Sequence, residues 1–339
     1  MTEQETVILE MKDVKVQFRL DEGLLKAVDG VDLRIKRGKT LGIVGESGCG
    51  KSVTSQALLR IVPKPGEVQG EIRLSRKKAD GSYEVVDLAK LDSRGREIRD
   101  IRGGEIAMIF QEPMKAFSPI HTVGNQIMEA ILLHATNDKN EAYQIAVEIL
   151  KKVGMSNPEQ RMSEYPHQLS GGMRQRAMIA MALSCSPSIL IADEPTTALD
   201  VTVQAQVLQL INDLKSKHDT SVIFITHDLG VIAEMSDDVA VMYLGKVVEY
   251  TDVDTLFHNP KHPYTKALLN SIPSVMRESQ RLESIEGTVP FPMNLPKGCG
   301  FYSRCKLAKD GVCNVDDVPL FKVAEGHSVR CLLVEGATH

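Results

Sequence analysis

The chain has 339 residues and a formal net charge of −5, with 42% hydrophobic and 25% charged residues, which suits a water-soluble globular protein of one large domain and one small one. The acidic net charge gives no global reason to expect a nucleic-acid partner. No stretch approaches the roughly 18 uninterrupted apolar residues of a membrane-spanning helix, and the polar start, Met1-Thr2-Glu3-Gln4-Glu5-Thr6, is unlike a secretory signal. The expectation is a cytosolic protein whose six cysteines are free thiols or metal ligands, and whose membrane contacts come through partner subunits.

Residues 7–45 alternate apolar and polar positions and then become solidly apolar at Leu41-Gly42-Ile43-Val44, predicting amino-terminal strands that lead into a buried strand. Gly45 to Gly50 form a turn, and a helix is expected from Lys51 onward. Residues 75–105 are charged and irregular and read as an exposed hairpin or insertion. Ile106 to Phe110 is a short buried strand ending at Gln111. Helical apolar spacing follows over 122–156, carried by Ile127, Ala130 and Ile131 and then by Ala146, Ile149 and Leu150. Residues 189–192 and 222–225 read as buried parallel-type strands. Val239 to Tyr250 reads as a hairpin turning at Leu244-Gly245. Near residue 258 the composition shifts: two prolines fall within 258–263, and Pro290, Pro292 and Pro296 follow, predicting a linker and a separate small module.

Gly45-Glu46-Ser47-Gly48-Cys49-Gly50-Lys51-Ser52, followed by Val53, satisfies the phosphate-loop spacing. Glycines let backbone N–H groups converge on phosphate oxygens, and the following helix aims its positive end at them. Lys51 adds a point charge there, and the Ser52 hydroxyl suits Mg²⁺. Cys49 reads as a small filler; were it exposed, ATP would protect it from thiol reagents. Asp193 and Glu194 end an apolar strand, where one carboxylate can hold Mg²⁺ through water and the next can polarise an attacking water.

With Leu169-Ser170-Gly171-Gly172-Met173-Arg174-Gln175-Arg176, Pro195, Ala198-Leu199-Asp200 and His227 falling in order after the phosphate loop, the chain resembles the ATP-binding-cassette (ABC) ATPases over at least residues 7–258. The resemblance implies an α/β phosphate-loop core with an antiparallel β subdomain and a helical subdomain at about 112–185. It implies that Phe18 stacks on adenine, that Gln111 senses Mg²⁺ and the γ-phosphate, that Ser170, Gly171 and Gly172 grip the γ-phosphate held by a partner subunit, that Asp200 lies at the subunit interface and that His227 contacts the γ-phosphate. Lys51, Gln111, Glu194 and His227 are then the catalytic set, with Ser52, Gln111 and Asp193 serving Mg²⁺. ATP would be sandwiched in a dimer, binding driving closure and hydrolysis reopening it.

Cys299, Cys305, Cys313 and Cys331 crowd a short terminal segment without paired C-x2-C knuckles, which disfavours an ordinary zinc ribbon without excluding zinc; iron–sulfur clusters are held by the same thiolates. This segment, with His262-Pro263-Tyr264-Thr265 and Leu268-Leu269, is similar to the tail of the oligopeptide/dipeptide subfamily of ABC transporter ATPases. The resemblance implies a carboxy-terminal module at 259–339 whose four cysteines bind a [4Fe–4S] cluster, with Zn²⁺ as the alternative. It also implies a peripheral protein at the cytoplasmic face of the inner membrane. Its partners would be a homologous second ATPase subunit, two transmembrane permeases and an external or periplasmic substrate-binding protein. The cargo expected is peptide, with oligosaccharides or nickel complexes as alternatives; a soluble ABC ATPase acting on nucleic acid is the reading from another class. Two departures from the family pattern stand out: Ala116-Phe117-Ser118-Pro119 after the glutamine, expected to alter the permease contact, and Met173 in the signature.

Overall fold

The structure is a computed structural model that describes residues 6–78, 80–196, 200–271, 285–293, 295 and 297–334. Its strands are β1 (Val7–Leu20), β2 (Gly23–Lys36), β3 (Thr40–Val44), β4 (Gly66–Lys77), β5 (Tyr83–Asp87), β6 (Ile106–Ile109), β7 (Ile189–Asp193), β8 (Ser221–Thr226), β9 (Asp238–Tyr243), β10 (Lys246–Asp252), β11 (Phe321–Ala324) and β12 (His327–Val329). The chain forms two compact units, one of residues 1–35, 40–90 and 225–339 and the other of 36–39 and 91–224.

The first unit holds a four-stranded sheet in the order β2-β1-β4-β5. Its apolar alternation sets the register: Leu9 lies opposite Leu74 and Met11 opposite Ile72, all buried, while a bulge interrupts the β1–β4 ladder between Lys12 and Lys15. A second ladder runs β11-β12-β10-β9-β3. In it β3 pairs parallel to β9, and every residue of β3 is buried, as expected of a parallel strand covered on both faces. β9 and β10 form the expected hairpin. Its two-residue turn, Leu244-Gly245, has both residues at positive φ (46° and 74°), the twist that suits tight hairpins.

The second unit carries β6, β7 and β8 side by side, with β6 and β7 parallel. Helices Val123–His134, Lys139–Lys152 and Gly171–Leu183 pack on one another through buried Ile127, Ile131, Ala146, Ile149 and Leu150. Acceptor side chains cap their starts: Thr122, Asp138 and Ser170 each take a backbone N–H from the first turn. The stretch 75–105 is more ordered than its charge suggested. It forms the β4–β5 hairpin and then a helix, Arg96–Gly104, whose fully buried Ile98 and Ile101 sit one turn apart amid charged neighbours. Two apolar anchors in nine residues give too weak a period to read without the core that receives them.

The tail is not a unit of its own, as the composition shift at residue 258 had suggested. β12 pairs with β10, setting Val329 opposite Glu249, and so extends the ladder of the first unit. Phe301 enters the core formed by Val241, Tyr243, Leu244 and Tyr264, packing edge-on against both tyrosines at 5.3 Å. Further along, the Lys26 N–H donates to the Pro292 carbonyl. Pro296, one of the prolines used to infer the separate module, lies outside the described residues.

Candidate functional site

The phosphate loop leaves β3 and enters helix Lys51–Leu58 within the first unit. Two of its glycines are required by contact. A Cβ on Gly45 would meet the Met242 carbonyl oxygen at 2.2 Å, and one on Gly50, at φ 101°, would meet the Ala27 carbonyl oxygen at 2.4 Å. Gly50 caps the helix and brings no side-chain acceptor to its first turn, where the positive end of the helix favours an anion. The buried Lys51 ammonium donates to the Gly45 carbonyl at 2.7 Å and the Glu46 carbonyl at 3.2 Å, folding over the loop it serves. Cys49 is fully buried, and burial pushes its thiol pKa up; it fills the loop's interior, where a bulky thiol reagent has no access. Ser47, Gly48, Ser52 and Val53 complete the loop and its helix start.

Within the second unit, Asp193 is buried at the end of β7. Glu194 follows in the left-handed region at φ 47°, a strained backbone for a glutamate and of the kind that collects at functional sites. The Gln111 amide, just beyond β6, donates to the Glu194 carboxylate at 3.2 Å. The structure thus brings together Gln111, expected to sense Mg²⁺ and the γ-phosphate, and Glu194, expected to polarise the attacking water. Gln175, on helix Gly171–Leu183, is buried and donates to the Pro195 carbonyl, fastening the signature helix to the strand end that carries the carboxylates.

Ser170 caps that 13-residue helix, accepting the Met173 N–H at 3.3 Å. Ser170 and Gly171 are exposed. Gly171 has no positive φ, and a Cβ there would meet nothing within 4 Å, so nothing in this chain demands a glycine at that position. Asp200 caps helix Val201–His218 by accepting the Val203 N–H at 3.0 Å. Ala198 and Leu199, which precede it in the motif, lie outside the described residues.

His227 is exposed immediately after β8, and Asp228 behind it caps helix Leu229–Met235. Phe18 is half-buried on β1 opposite Gly66. Its ring edge would lie 2.7 Å from a Cβ on Gly66, so the glycine makes room for the ring.

The four tail cysteines are free and line one small cavity together with His262, Phe301 and Leu333. Burial pushes Cys299 up to about 11 and raises Cys305 and Cys331, and the neighbouring thiols raise each of them further. Burial also holds His262 neutral, lowering it to about 3. Among the described residues, however, no group of three or more His, Cys, Asp or Glu side chains is arranged to hold a metal ion. The four thiols line one cavity, and the metal site expected from the sequence is not formed among the described residues. The Mg²⁺ role of Ser52, Gln111 and Asp193 stays an expectation.

Sequence reasoning overlooked the tail's grip on the phosphate loop. Tyr264 accepts the Glu46 N–H at 2.9 Å, and Arg304 holds the Glu46 carboxylate at 2.7 and 3.0 Å. It also overlooked Glu249, fully buried, which accepts the Lys261 and His262 N–H groups at 2.7 and 2.9 Å and pairs with His327 at 2.8 Å. Arg304 and Glu46 are 258 positions apart, so no local pattern could announce the pair.

A phosphate loop leading into a helix, a second strand ending in paired carboxylates and a Ser-Gly-Gly helix start are the parts of a nucleotide-binding ATPase cassette. Residues 28–197 match the ABC transporter family model, and residues 248–313 match that of the oligopeptide/dipeptide transporter C-terminal region. The chain belongs to the ABC transporter family and is an ABC-type ATPase. It is 49% identical over 330 residues to the oligopeptide transport ATP-binding protein AppD of Bacillus subtilis, covering 97% of this chain and 98% of that one. It is 43% identical to the dipeptide transport ATP-binding protein DppD of Escherichia coli, covering 96% of each. Among solved structures, the dimeric bacterial ABC transporter cassette MJ0796 matches with a TM-score of 0.63 at 27% identity, over 72% of this chain and 98% of that one. A post-hydrolysis dimer of MJ0796 bound to ADP and Pi matches with the same TM-score at 26% identity. Among the described residues no helix is long and apolar enough to cross a membrane.

Proposed function

We propose that this chain is the ATP-hydrolysing subunit that powers import of di- and oligopeptides through a membrane permease. The observation that carries this reading is similarity along the whole chain, tail included, to relatives named for oligopeptide and dipeptide transport. Lys51 and the helix start behind Gly50 bind the phosphates of ATP, and Phe18 takes the adenine face. Bound Mg²⁺, held by Ser52, Asp193 and Gln111, would neutralise charge on the β- and γ-phosphate oxygens. Glu194 accepts a proton from the attacking water as its oxygen bonds to the γ-phosphorus, the bond to the ADP oxygen breaks, and ADP and phosphate leave; His227 and Gln111 orient the γ-phosphate and the water.

The signature acts on a second subunit's nucleotide. What supports this is that Gly171 serves no need of its own chain and that Ser170 stands exposed at the start of a long helix. The partners are a homologous ATPase subunit, two permeases and an external binding protein, with this chain peripheral at the cytoplasmic face. The loop at 116–119, held by Gln126 through the Ser118 N–H at 2.7 Å and backed by buried Phe117, offers the permease exposed Met114 and Ile120. The function is tested by ATP-dependent uptake into vesicles reconstituted with the permeases and binding protein. Labelled dipeptides and tetrapeptides should accumulate; uptake of nickel complexes or oligosaccharides instead would overturn the peptide assignment.

We read the cavity lined by Cys299, Cys305, Cys313 and Cys331 as the place of a [4Fe–4S] cluster, with zinc as the alternative, because it brings four potential thiolate ligands to one place. Bound there, the cluster would tie the tail segments together and stabilise the fold. Anaerobically purified protein should be brown, with iron and sulfide each near about four per chain. One zinc, or no metal, overturns the cluster.

A further inference from the structure

The tail reaches the nucleotide site through one side chain. Arg304 closes the short 3-10 turn Tyr302–Arg304, next to Cys305, and its side chain is 4% exposed. Its guanidinium grips both oxygens of the Glu46 carboxylate, donates to the Tyr243 hydroxyl at 3.3 Å and lies 5.8 Å from that ring's centre and 5.9 Å from that of Phe301. Glu46 is the second residue of the phosphate loop. Its N–H is taken by the Tyr264 hydroxyl, and its carbonyl accepts the Cys49 N–H and the Lys51 ammonium. The Glu46 charge also bears on the buried Cys49 thiol inside the loop.

A carboxylate at the rim of a loop that must bind a polyphosphate is unfavourable unless something cancels its charge. We propose that Arg304 is a positioning residue for ATP binding: delivered by the tail, it neutralises and pins Glu46, so that the phosphate loop meets the nucleotide without an opposing charge. The proposal rests on the reading of residues 45–52 as the nucleotide site and adds to it a dependence on the tail. Arg304 touches no phosphate; it acts through Glu46. A lysine there would supply the charge without the two-pronged grip.

The test is the dissociation constant for Mg-ATP, measured by titration calorimetry on the full-length chain at low and moderate salt. Arg304→Met should weaken binding about tenfold at low salt and less at higher salt. Adding Glu46→Gln to Arg304→Met should recover most of that loss, because it removes the uncancelled charge. Arg304→Lys should fall between Arg304→Met and wild type. A role in packing alone would make the double variant as weak as Arg304→Met or weaker, and that result overturns the proposal. Arg304→Met that folds and binds ATP like wild type overturns it as well. Should Arg304→Met fail to fold, Arg304→Lys and Glu46→Gln carry the test: no loss at low salt in the first, or more than about a threefold loss in the second, would overturn it. Wild-type protein that binds no ATP overturns the nucleotide-site reading and this inference with it.

Discussion

Glu194 occupies a left-handed backbone conformation that costs a non-glycine residue on the order of 1 kcal/mol or more, and it does so next to a buried Asp193 and within reach of the Gln111 amide. Strain kept at a carboxylate that a neighbouring amide helps to orient is consistent with a group whose direction matters more than its comfort. Glu194→Gln should keep ATP affinity within a few-fold and lower single-site turnover by about 10² or more, measured with the second subunit's site silenced. Turnover equal to wild type would remove Glu194 from the role of base. Cys49 shows the limit of reading one residue from its motif. Its place in the loop left open whether the thiol is a filler or is exposed to reagents; it is buried beneath Gly45, as the filler reading expected.

Helix Gly171–Leu183 separates what an element needs for its own fold from what a partner needs of it. Its buried face, Gln175 and Ala177 to Ala180, anchors it in the second unit, while Ser170 and Gly171 at its start are exposed. Alanine is a better helix former than glycine, so Gly171→Ala should leave the unfolding midpoint unchanged or raise it slightly, by up to about 1 kcal/mol. The same change should sharply reduce ATP-driven dimerisation, read by light scattering, because a methyl group would stand where a partner's phosphate approaches. Normal dimerisation in the variant would show that the helix start does not meet the partner's nucleotide.

Across the first unit, stability and site are joined by the tail. Glu249 of β10 gathers Lys261 and His262 from one segment of the chain and His327 from another, and has no exposure to water. Replacing a buried, fully engaged carboxylate leaves donors without acceptors, so Glu249→Ala should cost about 3–5 kcal/mol, measured by urea unfolding. A loss under about 1 kcal/mol would mean that the tail is held by its other contacts, Phe301 and the β12 pairing among them. β12 pairs along β10 through Val329 and Ser328, so the tail contributes a strand to the unit's sheet as well as side-chain contacts.

The sequence by itself determined the elements whose signal is local. The apolar runs at 41–44, 189–192 and 222–225 became buried strands, the turn at Leu244-Gly245 became a tight hairpin, and the glycine spacing at 45–50 fixed the phosphate loop. Period and turn chemistry act over a few residues, so they are written where they act. Tertiary structure alone decided that helix Arg96–Gly104 forms around two buried isoleucines, that the four cysteines line one cavity, and that the tail belongs to the first unit. It alone placed Arg304 on Glu46 and His327 on Glu249. Contacts between residues scores to hundreds of positions apart leave no periodic trace in the chain, because their spacing is set by the folded path and not by the geometry of any single helix or strand.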